Sequence, residues 1–402
     1  MKKRLLTLLV GMALLVSSLT ACNGSTETTT STTTAATEAA TTTEAATATD
    51  ADTTAAPAET GEIETLYNPN YKIELLADGI KKVTDGDGRE LILVPKALGE
   101  IPAEYADSIV ITTPVDNAVF LSSTQVCTFR TVDDPAILDG IGAVEGSADS
   151  WNDIPGIAER ITSGTIIDVA GDSGMGEPDY EKIQALNPDV VFVYTGEYGQ
   201  QTTIAKLDEL GINYAVDNEY MEPTYLARME WMRFLLTFFN ADDAADTAMA
   251  NVQSGIDTAK AEIVGKDKPI IAVFSVYNGS ISATKDESWV GSMIADMGGV
   301  NAFSGMDASA LTMEAAFDVI NTADVVIYTS TPSYCDGMAG VTDAFPQITE
   351  CKAYENDRVY QYSDIFWHGI DQSDIMACDM AATLYPEVFA DRTLSYYLKL
   401  TK

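Results

Sequence analysis

The chain has 402 residues, 23 of them Lys or Arg and 61 Asp or Glu, for a formal net charge of −38. That field repels phosphate backbones and anionic lipid, which excludes nucleic-acid binding and adhesion flat on a membrane surface. Past the N-terminal apolar segment about 380 residues remain, enough for two domains with sizeable cores, and no later apolar run reaches the ~18 residues of a spanning helix.

Lys2, Lys3 and Arg4 form a basic head, Leu5 to Val16 a nearly unbroken apolar run, and Leu19-Thr20-Ala21-Cys22 a small-residue cleavage site. These are the marks of an export signal over residues 1–21, too short to span a bilayer. A cysteine directly after Leu-Thr-Ala resembles the lipobox of bacterial lipoproteins. That resemblance implies lipidation of Cys22 and a mature chain anchored at the extracytoplasmic face of the cell membrane. An ordinary cleaved signal with an incidental cysteine is the alternative. Residues 22–62 are mostly Thr, Ala and Glu, and no basic residue occurs between Arg4 and Lys72. Such a segment cannot bury enough surface to offset ordering entropy and is expected to be a disordered tether, with a reach on the order of 35 Å.

Residues 63–107 are expected to form an N-terminal strand extension. From residue 108 short apolar runs alternate with helical stretches. Ser108–Thr112, Thr165–Val169 and Val190–Tyr194 have strand character; Thr202–Leu210 carries Ile204, Leu207 and Leu210 at helical spacing and is followed by Gly211 and a strand from Ile212 to Val216. Strand, helix, strand in this order predicts parallel α/β architecture for residues 108–221. Residues 222–266 have few breakers and a wide apolar face from Met229, Met232, Phe234, Leu235, Phe238 and Phe239, then become Ala-rich after Asp242. This predicts a helical segment, with a second helix ending near Lys266. Over residues 267–402 the alternation resumes: strand Ile270–Val276, helices Trp289–Met297 and Thr312–Ile320, strands Val325–Thr329 and Val359–Tyr362, and a last helix Ser373–Leu384. The cysteines after Cys22 are Cys127, Cys335, Cys351 and Cys378, without a CxxC pair. Export permits a Cys335–Cys351 disulfide, buried thiols are the other reading, and the sequence decides neither.

Some of these runs carry a likeness. The first lobe contains Ser122-Ser123-Thr124, Ile157-Ala158-Glu159-Arg160-Ile161, and Asp179-Tyr180-Glu181-Lys182-Ile183-Gln184-Ala185-Leu186-Asn187-Pro188-Asp189-Val190-Val191. The second repeats the last pattern from Met313-Glu314 to Ala323-Asp324-Val325-Val326, after a helix ending Met297-Gly298-Gly299-Val300-Asn301. Lys82-Val83-Thr84-Asp85-Gly86-Asp87-Gly88-Arg89-Glu90 resembles a strand pair that precedes the first lobe. In this order the chain resembles the substrate-binding components of ABC importers for iron complexes (siderophores, haem) and cobalamin. The resemblance implies an α/β fold of two Rossmann-like lobes connected by a long interlobe helix, with a ligand cleft between them. It also implies a metal-chelate ligand, a siderophore complex, haem or a corrinoid, and an ABC permease as partner. In that family one glutamate on each lobe pairs with permease arginines, which points to Glu181 and Glu314. Glu181 precedes Asp189 by eight residues whereas Glu314 precedes Asp324 by ten, a departure from symmetry.

Open α/β sheets bind ligands beyond the C-terminal ends of their strands. Tyr194, Tyr277 and Trp367 follow such ends, and their rings suit a broad, partly apolar chelate. Asp172 and Ser173, just before the Glu181 helix, are further candidates. His368 is the sole histidine and either contacts the chelate or serves a structural role. One histidine cannot supply the histidine cluster that holds bare zinc or manganese, so neither a resident metal nor a cofactor is expected. Gly171-Asp172-Ser173-Gly174 resembles the nucleophile segment of chymotrypsin-like proteases, but the sole histidine follows by about 200 residues in an α/β pattern. An anchored hydrolase using Ser173 and His368 is the rival; the expectation is a monomeric binding protein that is not an enzyme.

Overall fold

The computed structural model describes residues 60–402 apart from positions 68, 133, 155, 172–175 and 308–310. The expected signal, almost all of the tether and Cys22 lie outside the described residues. An N-terminal sheet comes first: β1 (Gly61–Glu62), β2 (Lys72–Leu75), β3 (Lys81–Thr84), β4 (Glu90–Pro95) and β5 (Ile109–Thr113), in that spatial order. β1 to β4 pair antiparallel, while β5 lies parallel to β4 with Ile111 opposite Leu93. The strand expected to open the first lobe thus completes this N-terminal sheet, because its apolar face meets β4 and not the lobe's own strands. The β3–β4 turn is closed by Asp85, whose Oδ1 accepts from the Asp87 and Arg89 amides at 3.1 and 2.9 Å. Its Oδ2 accepts from the Val216 amide at 3.0 Å and Arg89 lies 3.6 Å over the Tyr214 ring, so the turn also docks the sheet on the first lobe.

The first lobe comprises β6 (Ala118–Phe120), α1 (Ser123–Val132), α2 (Pro135–Leu138), β7 (Ile141–Val144), α3 (Ile157–Ser163), β8 (Ile167–Asp168), α4 (Tyr180–Leu186), β9 (Val190–Val193), α5 (Gln201–Leu210) and β10 (Tyr214–Val216). Its sheet has the order β10-β9-β6-β7-β8 and is parallel throughout. β6, β7, β9 and β10 are buried along their whole length, as a parallel sheet covered on both faces requires. α4 begins where Asp179 Oδ1 accepts from the Glu181 and Lys182 amides at 3.1 Å each, and α5 stops at Gly211, whose φ of 67° lies in the left-handed region.

Two helices follow, α6 (Tyr225–Thr237) and α7 (Asp242–Glu262). The break between them passes through Asn240 at φ 55°. The connection is therefore a pair of helices, as the change of composition after Asp242 predicted, and α7 with 21 residues is the long one. α6 touches α1 of the first lobe and a helix of the second, and its faces are buried nearly all round, Trp231 and Phe234 included. α7, about 31 Å long, packs on α6 and α1 and on the last helix of the chain.

The second lobe contains β11 (Ile270–Tyr277), β12 (Ser280–Ala283), α8 (Trp289–Asp296), β13 (Val300–Asn301), α9 (Met313–Ile320), β14 (Val325–Tyr328), α10 (Gly337–Ala344), α11 (Lys352–Glu355), β15 (Val359–Tyr362), α12 (Ser373–Leu384) and β16 (Tyr397–Lys399). Its sheet runs β12-β11-β14-β15-β16, parallel in the middle and antiparallel at both edges, with β13 beside the start of β11. The Gly-Gly-Asn end of α8 has a physical reason. Gly298 takes φ 74°, and a Cβ there would lie 2.8 Å from the Tyr385 hydroxyl; Asn301 Nδ2 donates to the Thr284 carbonyl and to Asp286, both at 2.9 Å.

One continuous apolar core runs from Ile73 and Leu93 in the N-terminal sheet through Phe120 and Phe192, along Trp231 and Phe234 of α6, to Tyr362, Phe366 and Met380 of the second lobe. Separate cores fill the outer face of each lobe's sheet, around Val191 and Leu207 in one and Phe274 and Phe345 in the other. A shared core between lobes resists wide hinge motion, since every opening would expose large side chains. The four described cysteines are free thiols, three of them buried and Cys378 partly so, and burial pushes Cys351 up to about 11.

Candidate ligand-binding cleft

The carboxyl ends of β6, β9 and β10 deliver Ser122–Gln125, Tyr194, and Asp217 with Glu219 and Tyr220 to one pocket of about 220 Å³. Arg228 of α6 forms part of its wall, and Trp367, which follows β15, closes it from the second lobe. The site therefore sits between the lobes, at the strand ends where helices and turns leave space. Tyr194 and Tyr220 meet edge to face with centroids 5.8 Å apart, and Trp367 is 47% exposed, its ring turned edge-on to Phe366 and Tyr362. Burial raises the phenol pKa of both Tyr194 and Tyr220. Beneath the rings the floor is charged. Arg228 donates from Nε and Nη2 to the two oxygens of Glu219, and its guanidinium lies 4.5 Å over the Trp289 ring. Asp217 is almost wholly buried; its Oδ1 accepts from the Glu219 amide at 3.1 Å and its Oδ2 has no partner. Burial, with Glu219 adding repulsion, pushes the Asp217 carboxyl well above the usual carboxylate range. Gln125 sits beside it, fully buried, its amide making no hydrogen bond of ordinary geometry.

Of the residues expected at the cleft, Tyr194 and Trp367 meet in this pocket. Tyr277 does not line it: it ends β11 on the hairpin with β12, opposite Ser280, and is 78% exposed. His368 lies between the lobes beside the pocket. Its Nδ1 is 2.9 Å from an Asp153 oxygen, and its ring stacks on Trp151 at 5.4 Å between centroids. Arg130 of α1 joins the same cluster, donating to the His368 carbonyl, to Asp153 at 3.4 Å and to the buried Asp371 at 3.1 Å. The histidine thus fastens one lobe to the other. Asp172 and Ser173 lie outside the described residues.

Glu181 and Glu314 are exposed, each the second residue of a capped helix, α4 behind Asp179 and α9 behind Thr312, whose Oγ1 accepts from the Ala315 amide at 3.2 Å. The aspartates that close the two repeats do one job. Asp189 accepts from the Asp116 and Asn117 amides just before β6, at 2.8 and 3.2 Å, and Asp324 accepts from the Ile270 amide opening β11 at 2.8 Å. Each pins the end of a helix–strand unit to the lobe's first strand. The spacing difference comes from one more helical residue in α9 than in α4, eight against seven, and one more residue in the connection.

Residues 148–365, more than half of the chain, match the periplasmic binding protein family model. The chain belongs to the periplasmic binding protein family. Family members are extracytoplasmic receptors of ABC transporters. Over 360 residues this periplasmic binding protein is 29% identical to the uncharacterized lipoprotein MJ0878 of Methanocaldococcus jannaschii, covering 85% of this chain and 82% of that one. A periplasmic heme binding protein from Pseudomonas aeruginosa superposes with a TM-score of 0.54 at 12% identity, over 71% of this chain and 98% of that one. A possible iron-binding (periplasmic solute-binding) protein from Staphylococcus epidermidis gives 0.51 at 11% identity, over 68% and 100%. At such identities the likeness is one of fold: two α/β lobes facing a cleft.

In this periplasmic binding protein, sequence reasoning missed Gln125, Asp217, Glu219, Tyr220 and Arg228 as pocket residues. Asp217, Glu219 and Tyr220 were within reach. The strand Ile212–Val216 was recognised, and the rule that selected Tyr194, the residue just past a strand end, selects Asp217 as well. Arg228 carried no comparable signal, since it lies within a mostly apolar helix.

Proposed function

We propose that this chain is a lipid-anchored receptor that captures a metal chelate, a ferric siderophore complex or haem, outside the cell and delivers it to an ABC permease. The observation that carries this reading is the pocket at the carboxyl ends of the first lobe's strands, with Tyr194 and Tyr220 on one side and Trp367 of the other lobe opposite. Aromatic faces hold a broad chelate through dispersion and stacking, and the buried polar floor supplies orientation. Lipidation of Cys22 would tether the receptor, and Glu181 and Glu314, alike in helix position on the two lobes, would meet basic residues of the permease. Solvated carboxylates of this kind set register and association rate more than affinity.

A thermal-shift screen against ferric siderophores, haem and corrinoids tests the reading. A chelate at a hundred times its dissociation constant stabilises by about 2.7 kcal/mol, which a melting curve resolves. A response confined to cobalamin or cobinamide moves the cargo to corrinoids, and no response to any chelate contradicts the proposal. Turnover of an ester or peptide that Ser173→Ala abolishes would replace it with the hydrolase reading.

A further inference from the structure

We infer that the cleft selects a chelate of zero or positive net charge, of the trishydroxamate or corrinoid kind, and rejects polyanionic complexes such as ferric tricatecholates and haem. This rests on the reading of the chain as a chelate receptor and revises its cargo, removing haem and keeping neutral or cationic siderophore complexes with the corrinoid alternative.

The argument is a charge inventory of the pocket. Among the described residues that line it, Arg228 is the one cation, against two acids, Asp217 and Glu219. That cation is already committed. Both side chains of the Arg228–Glu219 pair are 6% exposed, the guanidinium donates twice to the same carboxylate, and its face rests on Trp289. Arg130, in the lobe contact with His368, is held by Asp371 and Asp153. The undescribed positions 172–175 read Asp-Ser-Gly-Met and bring no base. Among the described residues that line the pocket, no free positive charge is left to receive an anion.

What the floor does offer is acceptor capacity. Asp217 Oδ2 and the Gln125 amide are buried without a hydrogen-bond partner. A carboxyl in that state is satisfied by an N–H, an O–H or a cation, and an anion brought beside it finds no compensating charge in a low-dielectric site. Three hydroxamates neutralise Fe(III), and a pendant ammonium makes the complex cationic. Three catecholates leave it a trianion, and haem carries two propionates into the site. The whole chain acts in the same direction, since a net charge of −38 depletes anions near the cleft and enriches cations.

The test measures Kd by quenching of tryptophan fluorescence for four probes: the ferric complex of desferrioxamine B, dicyanocobinamide, ferric enterobactin and haemin. The expected result is that at least one of the first two binds about a hundredfold more tightly than either anionic probe. Glu219→Gln, which releases Arg228, should narrow that gap by about tenfold, and Asp217→Asn should narrow it too; either suffices if the other fails to fold. Ferric enterobactin or haemin binding as tightly as the neutral and cationic probes would overturn the inference while leaving the receptor reading in place. Failure of all four to bind would remove both.

Discussion

Asp217 shows how a single residue can cost stability and still define a site. Burial raises its pKa, so between the ordinary carboxylate range and the folded-state value the unfolded chain has released a proton that the folded chain keeps. Stability therefore falls as pH rises through that window. Asp217→Asn should raise stability at pH 7, because the amide has no proton that the folded chain must retain at a cost. The gain should vanish near pH 3, where both states are protonated. Urea midpoints at the two pH values check the sign, and an equal gain at both would show that the carboxylate charge is not the cause. The site was half legible from residues alone. Tyr194 and Trp367 announce themselves because rings beyond strand ends have few structural uses, whereas the pairing of Arg228 with Glu219 depends on a helix and a turn whose approach no local pattern encodes. His368 was conspicuous as the only histidine, but its partners Asp153 and Trp151 stand more than two hundred positions away in sequence, and only the folded chain brings them to it.

Among elements, the contact between α1 and the segment after β15 ties the two lobes together in addition to α6 and α7. Burial alone would raise the Asp153 pKa, but the hydrogen bond and charge of His368, with Arg130, outweigh it and hold the carboxyl below its usual range. The sign is that of a depressed acid: the stabilisation is complete above the unfolded-state value and is lost as pH falls through the folded one. His368→Ala should cost about 1–3 kcal/mol at neutral pH, as loss of a charge-assisted hydrogen bond does. Asp153→Asn should cost a similar amount, with the difference from the parent chain closing at the acid end. Chemical denaturation between about pH 3 and pH 7 measures this; a gap that widens on acidification would contradict the assignment. Long periodic elements were visible beforehand, α5 and α12 nearly to the residue. β6 and β7 were not. Three or four residues such as Ala118-Val119-Phe120 or Ile141-Gly142-Ala143-Val144 show no alternation, and they become strands only by pairing inside a sheet covered on both faces. Placement of β5 in the N-terminal sheet was likewise decided by a partner 18 residues earlier, Leu93 for Ile111, and not by its own composition.

At the scale of the whole molecule two sheet-based lobes share a core through α6 and α7, so the proposed capture and delivery would work with small relative motion. Glu181 and Glu314 are the proposed docking points of that arrangement. A Glu181→Ala/Glu314→Ala double variant should bind its chelate with unchanged Kd, because neither side chain lines the pocket, yet lose most uptake in cells or most stimulation of transporter ATPase activity. Single variants should lose less. Undiminished transport by the double variant would remove the docking role without touching the binding site. The central claim, that a chelate sits between the rings of the two lobes, is met most directly by isothermal titration of the parent chain and of Tyr194→Ala and Trp367→Ala with whichever chelate responds. The account predicts one site per chain, and for each variant a loss of at least about tenfold in affinity, since one ring contact is worth on the order of 1.4 kcal/mol. Saturable binding whose affinity neither substitution changes would place the ligand elsewhere and contradict it.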